Sequence, residues 1–346
     1  MIKKICLAGL LAAGAGGLAA SAAANGTSPP SLMGFFHQAK PRETRAVPLA
    51  LSANEEKFLS LLRQNVESGG PPKDGIPAID RPRYTSAPEA DRWLLPEDVV
   101  FGVDYKGLLA AYPQRILVWH EIANESVGGE RISVTYCPLT GTAIGFKGSF
   151  APGTSSTFGV SGKLVNSNLT MYDRATDSRW PQIPAKAIDG ASKGAKLEEF
   201  QIVWTTWELW KKRHPDTKVL SRSTGFLRNY GRTGDPYGSY LREEKGYYGS
   251  AAVLFAPIFE DRQLHPKTVV VGVRDAAGNA AATLKDRLRR EKRVEVRLGN
   301  QAAVVSYDPA LDSHSAALKE SGQWINSFDA MWFAWKGFYP DTRLLR

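Results

Sequence analysis

The chain contains one pattern twice. Pro96-Glu-Asp-Val99-Val100-Phe-Gly102-Val103 recurs as Pro266-Lys-Thr-Val269-Val270-Val-Gly272-Val273, and Val134-Thr-Tyr136-Cys137-Pro138 recurs as Val305-Ser-Tyr307-Asp308-Pro309. Gly102 to Pro138 spans 36 residues and Gly272 to Pro309 spans 37, so the two matches keep register within one residue. Between them each copy predicts a hairpin: 116–122 and 132–136 around Gly128-Gly129, then 294–298 and 303–307 around Gly299-Asn300. A repeated unit of this size cannot bury its apolar face alone, so its sister is the natural partner. The expected fold is therefore β-rich α+β, with two related β-hairpin units, 96–146 and 266–317, in one core. Residues 147–265 form a long insertion between them, and 68–346 are read as a single domain.

A few helices complete the expectation. Ser52-Ala-Asn-Glu55 has the form of a capping box, and Phe58, Leu59, Leu61, Leu62 and Val66 follow at helical spacing, which predicts a helix over 53–66. A second is predicted over 205–214, ended by Pro215. Residues 25–50 are Pro- and Ser-rich without a period, so 25–67 read as a lead-in followed by that first helix. Residues 68–84 are rich in turn-forming Gly and Pro.

The N-terminus reads as an export signal. Lys3 and Lys4 precede a short apolar stretch, Ile5 to Leu18, and Ala22 and Ala24 supply the small residues of a cleavage site, so 1–24 are expected to be removed. No later stretch approaches about 18 uncharged apolar residues, and no membrane span is expected after cleavage. The location expected is periplasmic or secreted. The formal charge of +9 falls to +7 without Lys3 and Lys4. Its densest basic stretch, 283–297, carries Leu284 and Leu288 at i, i+4 among interleaved Asp286, Glu291 and Glu295, and reads as a solvated helix face. No basic–aromatic interleaving points to nucleic acid.

Cys6 lies inside the signal, which leaves Cys137 with no partner for a disulfide. A mature chain of this length can bury a core without such a staple. Asp308 stands at the equivalent place in the second copy, so the turn does not require a thiol. Alternation puts Ser133, Thr135 and Cys137 on one face of a strand, opposite Ile132, Val134 and Tyr136. Cys137 is the candidate catalytic nucleophile or soft metal ligand; a packed, inert thiol is the competing reading. For copper, zinc or iron, the candidate ligands are Cys137 with His120 and His265, although His120 shares its predicted strand face with apolar residues. No histidine follows Cys137 for more than seventy residues, which argues against a cupredoxin.

The densest polar stretch is 161–183. Read as a strand, it places Asn166, Asn168, Thr170 and Tyr172 on one face, with Asp173 and Arg174 following. Asparagine is disfavoured within strands, so this face reads either as an internal hydrogen-bond network or as a wall for a small ligand contacted by Asn166, Asn168, Tyr172, Asp173 and Arg174. Asp173 and Arg174 read equally well as a local ion pair. Several signatures are absent: 159–163 is neither a nucleophile elbow nor a phosphate loop, and His120-Glu121 lacks the second histidine of a zinc protease helix.

The runs DGIPAI (74–79), VTYCPLTGTA (134–143), SGKLVNSNLTMYDR (161–174), DPYG (235–238), LHPK (264–267) and WFAWKGFYPDT (332–342) together resemble the family catalogued as domain of unknown function 3179, over roughly residues 70–346. The resemblance implies a secreted bacterial or archaeal protein and brings no catalytic assignment with it. Two functional expectations stand side by side: a thiolate-based or metal-binding site centred on Cys137, or a non-catalytic extracytoplasmic ligand-binding or scaffold module.

Overall fold

The computed structural model describes residues 51–151, 153–238, 246–275 and 277–346; the predicted signal segment and most of the lead-in lie outside the described residues. Helix α1 (Ala53–Gln64) begins as expected. The Ser52 side chain accepts from Glu55 N while the Glu55 carboxylate accepts from the Ser52 backbone, and Leu59 and Leu62 are buried beneath the helix.

Strands dominate the rest. β1 (Val99–Tyr105) and β2 (Leu108–Pro113) form an antiparallel pair that leads into a one-turn helix, α2 (Gln114–Leu117). β3 (Ile122–Val127), β4 (Glu130–Cys137) and β5 (Thr142–Lys147) then form an antiparallel meander. A hairpin of β6 (Phe158–Val165) and β7 (Asn168–Asp173) follows, extended by β8 (Arg179–Pro181). Next, β9 (Glu199–Phe200) pairs with β5, β10 (Val203–Thr206) pairs antiparallel with β1, α3 (Trp207–Arg213) crosses over, and β11 (Lys218–Leu220) pairs parallel with β2. The Thr206 hydroxyl caps α3 and the helix stops before Pro215, within the range predicted.

The C-terminal part runs through the same order of elements. β12 (Val269–Arg274) and β13 (Ala280–Leu284) pair antiparallel and lead into α4 (Lys285–Glu291). β14 (Arg293–Leu298), β15 (Gln301–Asp308) and β16 (Ser313–Leu318) form a meander edged by β17 (Trp324–Ile325). β18 (Ser327–Met331) pairs antiparallel with β12, α5 (Trp332–Phe338) crosses over, and β19 (Arg343–Leu345) pairs parallel with β13. The sheets are thus ordered β10-β1-β2-β11, with Tyr84–Ser86 as a fifth strand on the far edge of β11, and β18-β12-β13-β19, with meanders β9-β5-β4-β3 and β17-β16-β15-β14. Part of the predicted insertion, β9 to β11, therefore completes sheets begun by residues 99–147.

Two sequence expectations need correction. The first hairpin does not begin at 116: residues 114–117 are helical, a tight turn follows, and the strand starts at Ile122. The short apolar run ILVWHEI fits either period, and the turn bonds of the backbone decide. Likewise, 161–172 is no continuous strand. Asn166 and Ser167 both take left-handed φ, 53° and 60°, and form the two-residue turn between β6 and β7, so Asn166 lies in a turn and not on the face of Asn168.

The interior is divided rather than single. One apolar cluster (Phe101, Tyr112, Ile132, Val134, Tyr136) fills the space between the first pair of sheets, and another (Val271, Val273, Val294, Val305) fills the second. The largest joins α1, the β6–β8 sheet and the faces of β5, β12 and β18, with Trp180, Trp332 and Trp335 at its centre. Cys137 belongs to this last cluster, on the opposite face of β4 from Tyr136, as alternation requires.

Candidate functional site

The helical turn of α2 ends in a sharp reversal. Glu121 N donates to Leu117 O at 2.7 Å, Glu121 itself adopts φ 57°, and its carbonyl accepts from Tyr136 N at 2.7 Å. Lys292 occupies the matching corner after α4, with φ 64° and its carbonyl accepting from Tyr307 N at 2.8 Å. The corners share a backbone but differ in surroundings. Lys292 is exposed, whereas Glu121 is buried at 6 % exposure. Among the described residues no hydrogen bond or ion pair reaches its carboxyl group. Burial alone pushes that carboxyl up to about 8 from its ordinary 4.5, so it holds a proton at neutral pH.

Cys137, at the end of β4, is its electrostatic neighbour. The thiol is buried, donating to Ser167 O at 3.6 Å and accepting from Leu169 N at 3.3 Å, so the β6–β7 turn and the start of β7 engage it as both donor and acceptor. Burial, and then the nearby Glu121 charge, push the thiol up to about 11. It is not a thiolate at neutral pH, as use as a nucleophile would require.

Residues 221–268 cover this region without forming a helix or strand among the described residues. Tyr237, Tyr247 and Tyr248 cluster with ring centroids 5.8–6.5 Å apart. The Tyr247 hydroxyl donates to Leu139 O at 2.8 Å, just beyond Cys137, and that of Tyr248 lies 3.3 Å from the Tyr136 hydroxyl. Asp235 accepts from Tyr237 N at 2.8 Å and from Gln114 Nε2 at 2.8 Å, tying the segment to the start of α2. The Tyr237 hydroxyl is pushed far above its usual value by burial and then by Glu121 and Cys137, which places it in the same electrostatic neighbourhood. Lys267 is buried with its Nζ 3.4 Å from the Tyr247 ring centroid, and burial lowers its ammonium to about 8. Glu121, Gln114, Asp235, Lys267 and these tyrosines were not singled out by sequence reasoning. The DPYG run was the visible signal for Asp235 and Tyr237.

The residues selected from sequence separate into different environments. Asn168 is wholly engaged. Its Nδ2 donates to Gln182 Oε1 at 3.0 Å and to Thr140 Oγ1 at 3.1 Å, and its Oδ1 accepts from Ile183 N at 2.9 Å. Asp173 accepts from Thr176 N, Thr176 Oγ1 and Trp180 Nε1 at 2.6–2.9 Å and is fully buried. It makes no ion pair with Arg174, which bonds Asp80 at 2.5 Å instead. Tyr172 donates to Asp74 at 2.6 Å beneath Lys73. Asn166 accepts from Ile258 N at 2.6 Å, while its buried Nδ2 lacks a hydrogen-bond partner among the described residues.

His120 is a satisfied interior histidine. Its Nδ1 donates to Pro77 O at 2.7 Å, its Nε2 accepts from the Tyr230 hydroxyl at 2.6 Å, and burial lowers the imidazole to about 4. His265 is exposed and accepts from Lys267 N at 3.3 Å. No group of three or more His, Cys, Asp or Glu side chains among the described residues is placed to hold a metal ion, so Cys137, His120 and His265 do not form one ligand set.

No helix among the described residues is long and apolar enough to cross a membrane. Neither a curated protein nor a solved structure matches the sequence. A family match does exist, over residues 73–323, which contain Glu121, Cys137 and the segment above them. The chain belongs to the family described as "Protein of unknown function (DUF3179)".

Proposed function

We propose that this is an exported protein, periplasmic or secreted after loss of residues 1–24, that recognises a small polar ligand through Glu121 acting as a neutral proton donor beside Cys137. The single observation that carries this reading is the Glu121 carboxyl, buried without a hydrogen bond in a neighbourhood shared with Cys137 and Tyr237. Holding a carboxyl largely out of water without a protein hydrogen bond is unfavourable by about 1–3 kcal/mol even when neutral. A ligand acceptor that took its proton in a hydrogen bond would recover that free energy. The buried and unpartnered Nδ2 of Asn166, in the turn that grips Cys137, offers a second donor to the same class of ligand. With its thiol protonated, Cys137 serves as a polarizable wall of the site and not as its nucleophile.

The reading extends to architecture. Residues 68–346 form one domain of two related units, about 96–146 and 266–317. Its support is the shared strand order, the left-handed corners at Glu121 and Lys292, and the glycine of each unit that is covered by the tryptophan of the crossover helix following it, Gly102 by Trp210 and Gly272 by Trp335. In the first unit the corner bears a buried acid under the 221–268 segment. The second leaves it to solvent.

A non-catalytic scaffold is the second reading, favoured by the backbone bonds that satisfy the Cys137 thiol as both donor and acceptor. A thermal-shift screen with small hydroxy, amino and carbonyl compounds separates the two. Compounds that stabilise the native protein but not Glu121→Leu support the first; equal shifts in both, or none across the panel, favour the scaffold.

A further inference from the structure

Residues 221–232 form a projecting tip whose chemistry differs from the rest of the surface. Gly225 takes φ +88° and turns the chain so that Phe226 is 40 % and Leu227 is 97 % exposed. A single exposed apolar residue needs no explanation, but two consecutive ones at the apex of a braced loop do. The bracing is specific. Tyr230 bonds Thr224 Oγ1 and His120 Nε2, each at 2.6 Å, the Phe226 ring lies 5.3 Å from the His120 ring, and Asn229 O accepts from Trp119 Nε1 at 3.0 Å. Leu227 is therefore held outward rather than left to fold back.

The same segment carries three cations, Arg222, Arg228 and Arg232. The Arg222 guanidinium lies 5.2 Å from the Trp93 ring and that of Arg228 lies 5.9 Å from the Trp119 ring. Arg232 stands 3.8 Å from Glu97, a loose and exposed pair, and Arg83 is exposed beside Ser221, whose N–H its carbonyl accepts. The result is an exposed apolar pair on a segment that also carries three arginines, two of them with guanidinium groups over half-buried indoles. A guanidinium binds phosphate with paired hydrogen bonds, and tryptophan prefers the headgroup level, where one end is apolar and the other wet.

The geometry points to a membrane-surface contact: the Phe226–Leu227 tip enters the headgroup region of an anionic bilayer while Arg222, Arg228 and Arg232 engage lipid phosphates. A bilayer fits better than a protein partner because the tip is convex and Leu227 is exposed on all sides, so it needs a soft apolar medium rather than a matching pocket. The formal charge, +9 and still +7 without Lys3 and Lys4, favours approach to a negative surface. With only two apolar side chains the contact is weak and reversible, and it orients the protein more than it anchors it.

Co-sedimentation of the full chain with phosphatidylcholine vesicles, with and without phosphatidylglycerol, tests this. Residues 5–18 are common to all variants, so differences between variants report on the tip. Binding is expected to require phosphatidylglycerol, to weaken with salt, and to fall about tenfold in Leu227→Glu and again in Arg222→Gln with Arg228→Gln. Leu227 touches too little for its replacement to unfold the chain, and an unchanged melting temperature verifies that. Wild-type binding by Leu227→Glu, or indifference to phosphatidylglycerol, overturns the inference. So does dimerisation that depends on Leu227 without any vesicle binding, which would make the tip a self-association face.

Discussion

The indole of Trp335 occupies the space that a side chain on Gly272 would need: a Cβ there would lie 2.1 Å from the ring. Trp210 and Gly102 stand in the same relation at 2.2 Å, and each indole N–H donates to a threonine seven residues on, Thr342 at 3.0 Å and Thr217 at 2.9 Å. Each crossover helix thus lies flat against a strand that only glycine leaves bare.

Gly102→Ala and Gly272→Ala are each expected to destabilise the fold by about 1–3 kcal/mol through overpacking, since a fully buried indole cannot retreat. The two sites share no partner, so the double variant should show the sum. Urea unfolding of the three variants gives the values.

Replacing Asp329 tests a buried ionic cluster of the second unit. Asp329 pairs with Lys285 and accepts from His314 Nε2 at 3.0 Å; the other ring nitrogen of His314 lies 2.9 Å from the Ser327 hydroxyl. Burial acts to raise the Asp329 carboxyl, but Lys285 and His314 outweigh it and hold the group well below the ordinary range. Asp329→Asn should cost about 3–5 kcal/mol by leaving Lys285 uncompensated, and Asp329→Leu with Lys285→Met should recover most of that loss. Because this carboxyl is depressed in the folded state, its stabilisation is present above the ordinary carboxylate range and disappears only as pH falls below it.

The Cys137 thiol should resist reagents. Held at about 11 and buried, it is expected to react with a disulfide reagent at pH 8 only as fast as the surrounding structure opens. Stopped-flow thiol labelling with and without mild urea checks this. A rapid denaturant-independent phase would mean an accessible thiol.

Glu121 predicts an opposite pH dependence to Asp329. Its folded value, about 8, lies above the ordinary 4.5, so the folded state holds the proton more tightly. Stability from this group is complete below 4.5 and is lost as pH rises towards 8, by on the order of 3–5 kcal/mol. Glu121→Gln should abolish that slope. The comparison is the difference in unfolding free energy between the two proteins from pH 5 to pH 9.

Much of the scaffold was legible in local sequence. Ser52 and Glu55 announced α1, Pro215 ended α3, and Gly299-Asn300 marked the β14–β15 turn, because caps and turns are decided by residues a few positions apart. The apolar run at 116–122 was not legible, since seven residues fit a strand and a turn of helix equally. Alternation alone puts Asn166 on a strand face, but asparagine also tolerates left-handed φ, and the turn between β6 and β7 uses that tolerance. Cys137 was found as the lone thiol. The burial of Glu121 beside it depends on tyrosines more than a hundred residues away, and no local pattern encodes that.

The measurement closest to the central claim is the ionisation of Glu121 itself, followed by isotope-edited carboxyl infrared or NMR signals with Glu121→Gln as the reference. The account predicts one carboxyl signal, absent from the variant, that titrates near pH 8. A Glu121 signal titrating near 4.5 would contradict it, and the proposed proton donor would be an ordinary carboxylate.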